Sequence, residues 1–335
     1  MDKEGADLGA PRRWPLLVTL IVGLGLIVAP LVFQMFSRAP EGGTMIDGFK
    51  PYMRPAVITR FQGDMRTIGA AVTEARSSLG PASASSPSGY AELLARWDGI
   101  DSDMSSMLST MQKDVGDFNA VAALPPFPLF PWFFVAPGVL LVGVSVWALV
   151  RQSRRRGVGG ALLALAILGL GLIAAPAMFQ MWSRAPKGGQ MISDFVPIMT
   201  QAKVTTVQGY FLTLGDGEAA LRTQMVPAWT TAHHSTAAGA AATLPAVHTF
   251  SAEWPGIEAQ MAPMIGAMSD NLGNYAAVRA LPPFPLFPWF FAIPGLLVTL
   301  SAGAGYLLNR RRPLPALPVP EARSAGQIPA TKETP

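Results

Sequence analysis

The sequence predicts an all-α membrane protein: four transmembrane helices in two tandem repeats, with two external helical hairpins that pair into a four-helix bundle. Three observations predict this. Half of the 335 residues are hydrophobic and only 14% are charged, where globular domains run near ~25%. Four apolar stretches, 15–36, 131–150, 158–182 and 288–309, contain none of the 25 Lys and Arg or the 21 Asp and Glu. The string LPPFPLFPWFF occurs twice, letter for letter, at 124–134 and 281–291.

Each apolar stretch is close to the ~20 residues that cross a hydrocarbon core. A core helix of a soluble protein carries a polar face, and these carry no charge at all. Their flanks set the direction. Arg12 and Arg13 precede the first stretch, RQSRRRG at 151–157 follows the second, and NRRR at 309–312 closes the fourth. Basic clusters stay in the cytoplasm. The chain therefore divides into a cytoplasmic N-terminus (1–14), a first span (15–36), an external hairpin (37–130), a second span (131–150), an Arg-rich cytoplasmic loop (151–157), a third span (158–182), a second external hairpin (183–287), a fourth span (288–309) and a Pro-rich cytoplasmic tail (310–335) expected to be disordered. A cleaved signal peptide is a poorer reading of the first span, because the third is nearly its copy in mid-chain.

The copying extends through the chain. GLGLIVAPLVFQMFSRAPEGG at 23–43 aligns without gaps on GLGLIAAPAMFQMWSRAPKGG at 169–189, an offset of 146 residues that holds to Gly69 and Gly215. From Trp97 and Trp254 onward the offset is 157, so the second half carries 11 extra residues at its tip. Both tips, SSLGPASASSPSGY and TTAHHSTAAGAAATLPAV, read as flexible polar turns. Two spans per unit make the repeats parallel, related by an axis along the membrane normal.

The external segments carry helical seams. Trp97, Ile100, Met104, Met107, Met111, Val115 and Phe118 fall at spacings of three and four, and Trp254, Ile257, Met261, Met264, Met268, Leu272 and Tyr275 repeat the register. Met45, Phe49, Met53, Val57, Phe61, Met65 and Ile68 make a matching stripe before the tip. One hairpin would leave its seam in water, whereas two bury their seams against each other.

The two best-matched strings both fall in the layer between hairpins and spans. Pro125, Pro126 and Pro128, copied as Pro282, Pro283 and Pro285, cannot continue a helix, so a short extended collar is expected there. Pro131 and Pro288 suit the first turn of a span. Trp132, Trp289 and the neighbouring phenylalanines are expected at headgroup depth. The partner string brings Gln34, Arg38, Gly42 and Gly43, and in the second half Gln180, Arg184, Gly188 and Gly189. The arginines are expected to meet phosphates and the glycines to turn the chain. Pro30 and Pro176 are expected to kink the first and third spans. These residues form the candidate outer-interface binding layer.

Other patterns carry plainer readings. WDGIDSD at 97–103 suggests calcium, but its counterpart WPGIEAQ lacks the ligands and no full calcium loop is present, so it reads as a solvated helix N-terminus. His233, His234 and His248 lie together in the second tip without a close acid and read as polar surface. The methionine rows coincide with the seams and read as core rather than a soft-metal site. The sequence has no cysteine, no P-loop and neither a G-x-S-x-G nor an H-E-x-x-H string, so no catalytic, cofactor or metal residue is assigned and no enzyme is expected. The net charge of +4 does not suggest nucleic acid.

The strings FQMFSRAPEGG and LPPFPLFPWFF resemble an uncharacterised family of multi-pass membrane proteins from high-GC actinobacteria. The resemblance covers both repeats and excludes the termini. It implies a bacterial cell membrane and brings no activity. The expected role is a scaffold, sensor or accessory subunit that binds membrane lipids, or a protein partner through the external bundle. The alternative is an accessory or pore-forming component that moves a neutral or lipidic compound.

Overall fold

The computed structural model describes residues 13–154 and 156–310. Most of the N-terminal segment 1–14 and nearly all of the tail 310–335 lie outside the described residues. Among the described residues the protein is all α-helical, and four helices are long and apolar enough to cross a membrane.

The first half contains α1 (Trp14–Val32), α2 (Met35–Phe49), α3 (Pro55–Glu74), α4 (Ser88–Ala122) and α5 (Phe130–Ser153). The second half contains α6 (Gly159–Met178), α7 (Met181–Asp194), α8 (Gln201–Ala220), α9 (Val226–Ala232), α10 (Ala237–Thr243), α11 (Pro245–Asp270), α12 (Leu272–Arg279) and α13 (Phe287–Arg310). In the apolar layer α1 packs along α5 and α6 along α13, and the two pairs meet through α1 with α13 and α5 with α6. Small residues let the backbones close up: a Cβ on Gly23 would sit 3.0 Å from the Gly138 carbonyl oxygen, and one on Gly295 2.7 Å from that of Gly169. Aliphatic side chains such as Ile21, Val32, Ile167 and Leu300 face outward and exposed, as a lipid-facing surface requires.

The four-helix bundle is α3, α4, α8 and α11. Each half's helices pack on each other and on the opposite half: α4 lies on α3 and α8, and α11 on α8 and α3. The seam residues from Trp97 to Phe118, the methionines at 261, 264 and 268, and Tyr275 are all buried, and Leu272 packs against them half-buried. Polar contacts pin the halves at the rim. Lys203 pairs with Asp103, the Tyr210 hydroxyl donates to the same carboxylate at 2.9 Å, and Arg60 donates to Gln260 Oε1 at 2.9 Å.

Several expectations are corrected. The stripe from Met45 to Ile68 is buried or half-buried as expected, but it runs over two helices, broken at 50–54 where Arg54 is extended before Pro55 (ψ 132°). WDGIDSD lies inside α4 rather than at a helix N-terminus, because that helix begins earlier, at Ser88. The second tip is not a flexible turn: its alanines and threonines form α9 and α10, with the His233 ring stacked on Trp229 at 4.3 Å. The collar is extended only up to Pro126. Phe127–Leu129 and Phe284–Leu286 are single 3₁₀ turns that lead directly into α5 and α13, because proline also suits the start of a helical turn.

Candidate functional site

The collar is assembled where each span hands over to the bundle. α1 ends at Val32, just past Pro30, and α6 ends at Met178, just past Pro176. Gln34 and Gln180 follow with φ 53° each, a left-handed conformation unfavourable for a residue bearing a Cβ. They, not the glycines, turn the chain. After each turn α2 and α7 carry the remaining residues of the motif, so Gly42, Gly43, Gly188 and Gly189 are helical, which corrects the expectation of a glycine turn.

The glycines instead seat the second motif. A Cβ on Gly42 would come within 2.8 Å of the Phe127 ring, and one on Gly188 within 3.1 Å of the Phe284 ring. Gly43 faces Pro128 and Gly189 faces Pro285, at 3.7 and 3.2 Å from the position of an added Cβ. The two well-matched strings occupy one layer because each half docks its 3₁₀ turn on its own Gly-Gly pair.

Arg38 and Arg184 then tie the halves together. Arg38 donates to the Ala280 carbonyl at 2.9 Å and, more weakly, to that of Phe33 at 3.3 Å, while Arg184 donates to the Ala123 carbonyl at 2.8 Å. Ala280 and Ala123 end α12 and α4, whose last carbonyls favour a cation. The arginines therefore have protein partners across the halves, where phosphate alone had been expected, and both remain partly exposed.

The phenylalanines also depart from the expected belt. Phe130 and Phe134 are buried and meet Phe287 and Phe291, the same positions of the other string, at 6.0 and 4.5 Å. Only the tryptophans keep to the outside: Trp132 is 54% exposed against the edge of Phe36, and Trp289 is 50% exposed against the edge of Trp182. Pro125, Pro126, Pro282 and Pro283 link the bundle helices to the 3₁₀ turns, and Pro125 and Pro282 also line cavities.

Two apolar cavities open in this layer, one on each junction between halves. The larger, about 440 Å³, lies between α5 and α6, with Pro125, Trp132, Phe133, Gly171 and Phe179 on its wall. The smaller, about 220 Å³, lies between α1 and α13 and is lined at corresponding positions by Pro282, Phe290, Gly25 and Phe33. Sequence reasoning marked this layer but missed the cavities and the ring pairing. The available signal was the spacing of Phe127, Phe130 and Phe134, three and four apart, repeated at Phe284, Phe287 and Phe291.

Just above the collar the halves differ. Asp114 of α4 is buried beside Asp194 of α7, and its Oδ2 has no hydrogen-bond partner. Burial, then the Asp194 carboxylate alongside, push the Asp114 carboxyl up to about 6. Asp194 goes the other way: Lys113 at 2.6 Å and the Gln190 amide at 3.0 Å hold it below the usual carboxylate range. The corresponding positions in the second and first halves are Asn271 and Gly48, and there the Asn271 amide bonds its own helix at Ala267.

Fold and layer together define an all-α integral membrane protein built around a collar between helical bundle and spans. Neither protein-family models nor curated proteins give a match to the chain.

Proposed function

We propose that the protein is a non-enzymatic scaffold of a bacterial cell membrane that holds anionic phospholipid in the outer leaflet, one acyl chain in each collar cavity. The observation that carries this reading is the pair of cavities at corresponding positions, each with a partly exposed arginine bonded to a backbone carbonyl in or within two residues of its wall. Arg184 bonds the carbonyl next to Leu124 and Pro125 at the larger cavity. Arg38 bonds the Phe33 carbonyl in the wall of the smaller one. The cavity walls are apolar and suit alkyl chain, and the larger has the volume of a ligand pocket. Each guanidinium keeps donors beyond its protein bond for a phosphate.

This reading includes a duplication: one two-span unit, copied and fused, supplies both the second bundle hairpin and the second cavity. It also takes the bundle as extracytoplasmic, on the arginine asymmetry, and the family as the actinobacterial one that the two strings resemble. Scaffolding is favoured over transport by the span interiors. Among the described residues, the buried polar side chains of the spans are Thr19, Ser145 and Ser301. Thr19 and Ser145 hydrogen-bond each other at 2.7 Å, so they satisfy themselves rather than form a path.

The test is retention of lipid by the purified chain, read by native mass spectrometry after exchange into phosphatidylglycerol or phosphatidylcholine. Phosphatidylglycerol should be retained preferentially. Gly25→Phe and Gly171→Phe place a ring in the cavities at glycines with nothing within 4 Å of an added Cβ, and each should remove one bound lipid. Arg38→Gln with Arg184→Gln should erase the headgroup preference. Equal retention in wild type and all three variants would overturn the reading.

A further inference from the structure

The second half's tip holds a cavity of a different kind. It is about 500 Å³, lies between α9, α10 and α11, and mixes apolar walls with Arg222, Ser251 and His248. Its volume falls in the range of small-molecule sites.

Comparison of the two halves shows what has opened there. Arg76 and Arg222 are corresponding residues, each on a π-helical turn, Ala75–Leu79 and Leu221–Met225. Such turns recur at functional sites. Arg76 is fully engaged: it reaches across to the Leu94 carbonyl at 2.8 Å and pairs with Asp98 at 3.0 Å. In the second half Pro255 stands where Asp98 would be and Ser251 where Leu94 would be. Arg222 does not cross. Its Nε donates to the buried Glu218 at 2.9 Å, and its two terminal nitrogens have no protein partner among the described residues. The second tip's extra length folds into α9 and α10, which wall the cavity beside Arg222.

A second observation points into the same cavity. Ser251 lines it, and its hydroxyl is buried without a hydrogen-bond partner. A buried hydroxyl left unpaired is costly, and a ligand acceptor would satisfy it. The nearby carboxylates are already engaged, Glu218 by Arg222 and Glu74 by the Val247 N–H at 2.8 Å. The unmet demand of the cavity is therefore for hydrogen-bond acceptors, at the terminal nitrogens of Arg222 and the Ser251 hydroxyl. Leu244, Val247 and Val226 supply the apolar wall opposite.

We propose that this cavity is a binding site for a small amphiphilic carboxylate, with its head on the Arg222 guanidinium and the Ser251 hydroxyl and its body against Leu244 and Val247. A planar guanidinium with its Nε held by Glu218 presents its remaining N–H groups in a fixed fork, the geometry that pairs with a carboxylate. In the first half the corresponding Arg76 is held by Asp98 and Leu94, so the role belongs to the second tip alone. It is remote from the collar and independent of lipid binding there.

The experiment uses the full chain in phosphatidylcholine nanodiscs, with 4-phenylbutyrate as probe and titration calorimetry as readout, corrected with empty nanodiscs. Saturable binding at one site is expected. Arg222→Gln should weaken it about tenfold, the usual loss for a charge-assisted bond, and Ser251→Ala by a smaller factor. Arg76→Gln should leave it unchanged. Ala241→Trp, at a half-buried wall position, should abolish it. If that variant unfolds, the surface change Arg222→Gln decides alone. No saturable binding, an unaltered affinity in Arg222→Gln, or equal binding of 4-phenylbutyramide would overturn the proposal.

Discussion

Phe134 stacks on Phe291 at 4.5 Å with 29° between the rings. The two residues hold the same position in the two copies of one string. A residue that meets its own copy is the contact a two-fold interface produces, here inside one chain. A substitution in one string alters only its own side of the contact, so identity between the strings keeps the two sides matched. Each ring is buried to within a few per cent. Phe134→Ala and Phe291→Ala should each cost roughly 3 kcal/mol, and the double variant should cost about 1 kcal/mol less than their sum. Unfolding in mixed micelles measures the cycle. Strict additivity would mean that the rings merely share a layer.

The Gly-Gly seat makes a sharper distinction between neighbours. An added Cβ at Gly42 would meet the Phe127 ring at 2.8 Å, but at Gly43 it would meet Pro128 at an ordinary 3.7 Å. Gly42→Ala should therefore cost about 1–3 kcal/mol through overpacking. Gly43→Ala should be neutral or stabilising by about 0.5–1 kcal/mol, since alanine favours helix. Thermal midpoints of the two single variants give the comparison. If Gly43→Ala is the more harmful, the 3₁₀ turn does not dock as described.

Asp114 predicts an unusual pH dependence. Burial and the Asp194 carboxylate push its carboxyl up to about 6 in the folded protein, above its ordinary 3.8. A raised acid binds its proton more tightly when folded. Its contribution to stability is therefore fully present below pH ~4 and is lost as pH rises through about 6. Asp194, Asp103 and Glu92 are shifted downward and act in the opposite sense, so the wild type alone is not diagnostic. Asp114→Asn places in the first half the amide that the second half has at Asn271. It should stabilise by about 2–3 kcal/mol at pH 8, with the gain vanishing near pH 4. A gain constant across that range would show that charge at Asp114 is not its source.

The sequence made the architecture readable because its signals were periodic or compositional. Uncharged spans, three-and-four seams and a duplicated register each report a whole element, and helix, span and bundle followed. The collar was located for the same reason but misread in detail. Proline was read as ending helix into extended chain, yet Phe127 and Pro128 start a 3₁₀ turn. Glycine was read as turning the chain, yet Gln34 takes the positive φ and Gly42 admits a ring. These outcomes depend on which side chain lies opposite, a fact held by tertiary packing. The carbonyls of Ala123 and Ala280, partners of Arg184 and Arg38, leave no mark in the sequence at all. Likewise the second tip's alanines and threonines were read as loop, yet α10 buries Ala240 and packs on α9 and α11, contacts that composition does not reveal.

Orientation is the prediction on which the proposed site depends most. Among the described residues, Arg13, Arg151, Arg154, Arg156 and Arg310 all fall at the ends of the spans away from the bundle. Retention of such clusters in the cytoplasm would place the bundle outside. The cysteine-free chain makes single-site labelling clean. Ser83 and Ala238 are exposed at the two bundle tips, and Ser153 is exposed at the far end of α5. Ser83→Cys and Ala238→Cys should react with an impermeant maleimide in intact cells, and Ser153→Cys only after lysis. The agreement of the first two also tests whether both halves enter the membrane in one direction. If one tip labels and the other does not, the halves are inverted, and the pairing of Phe134 with Phe291 could not form. If both tips label only after lysis, the bundle is cytoplasmic, and the collar arginines would face the inner leaflet.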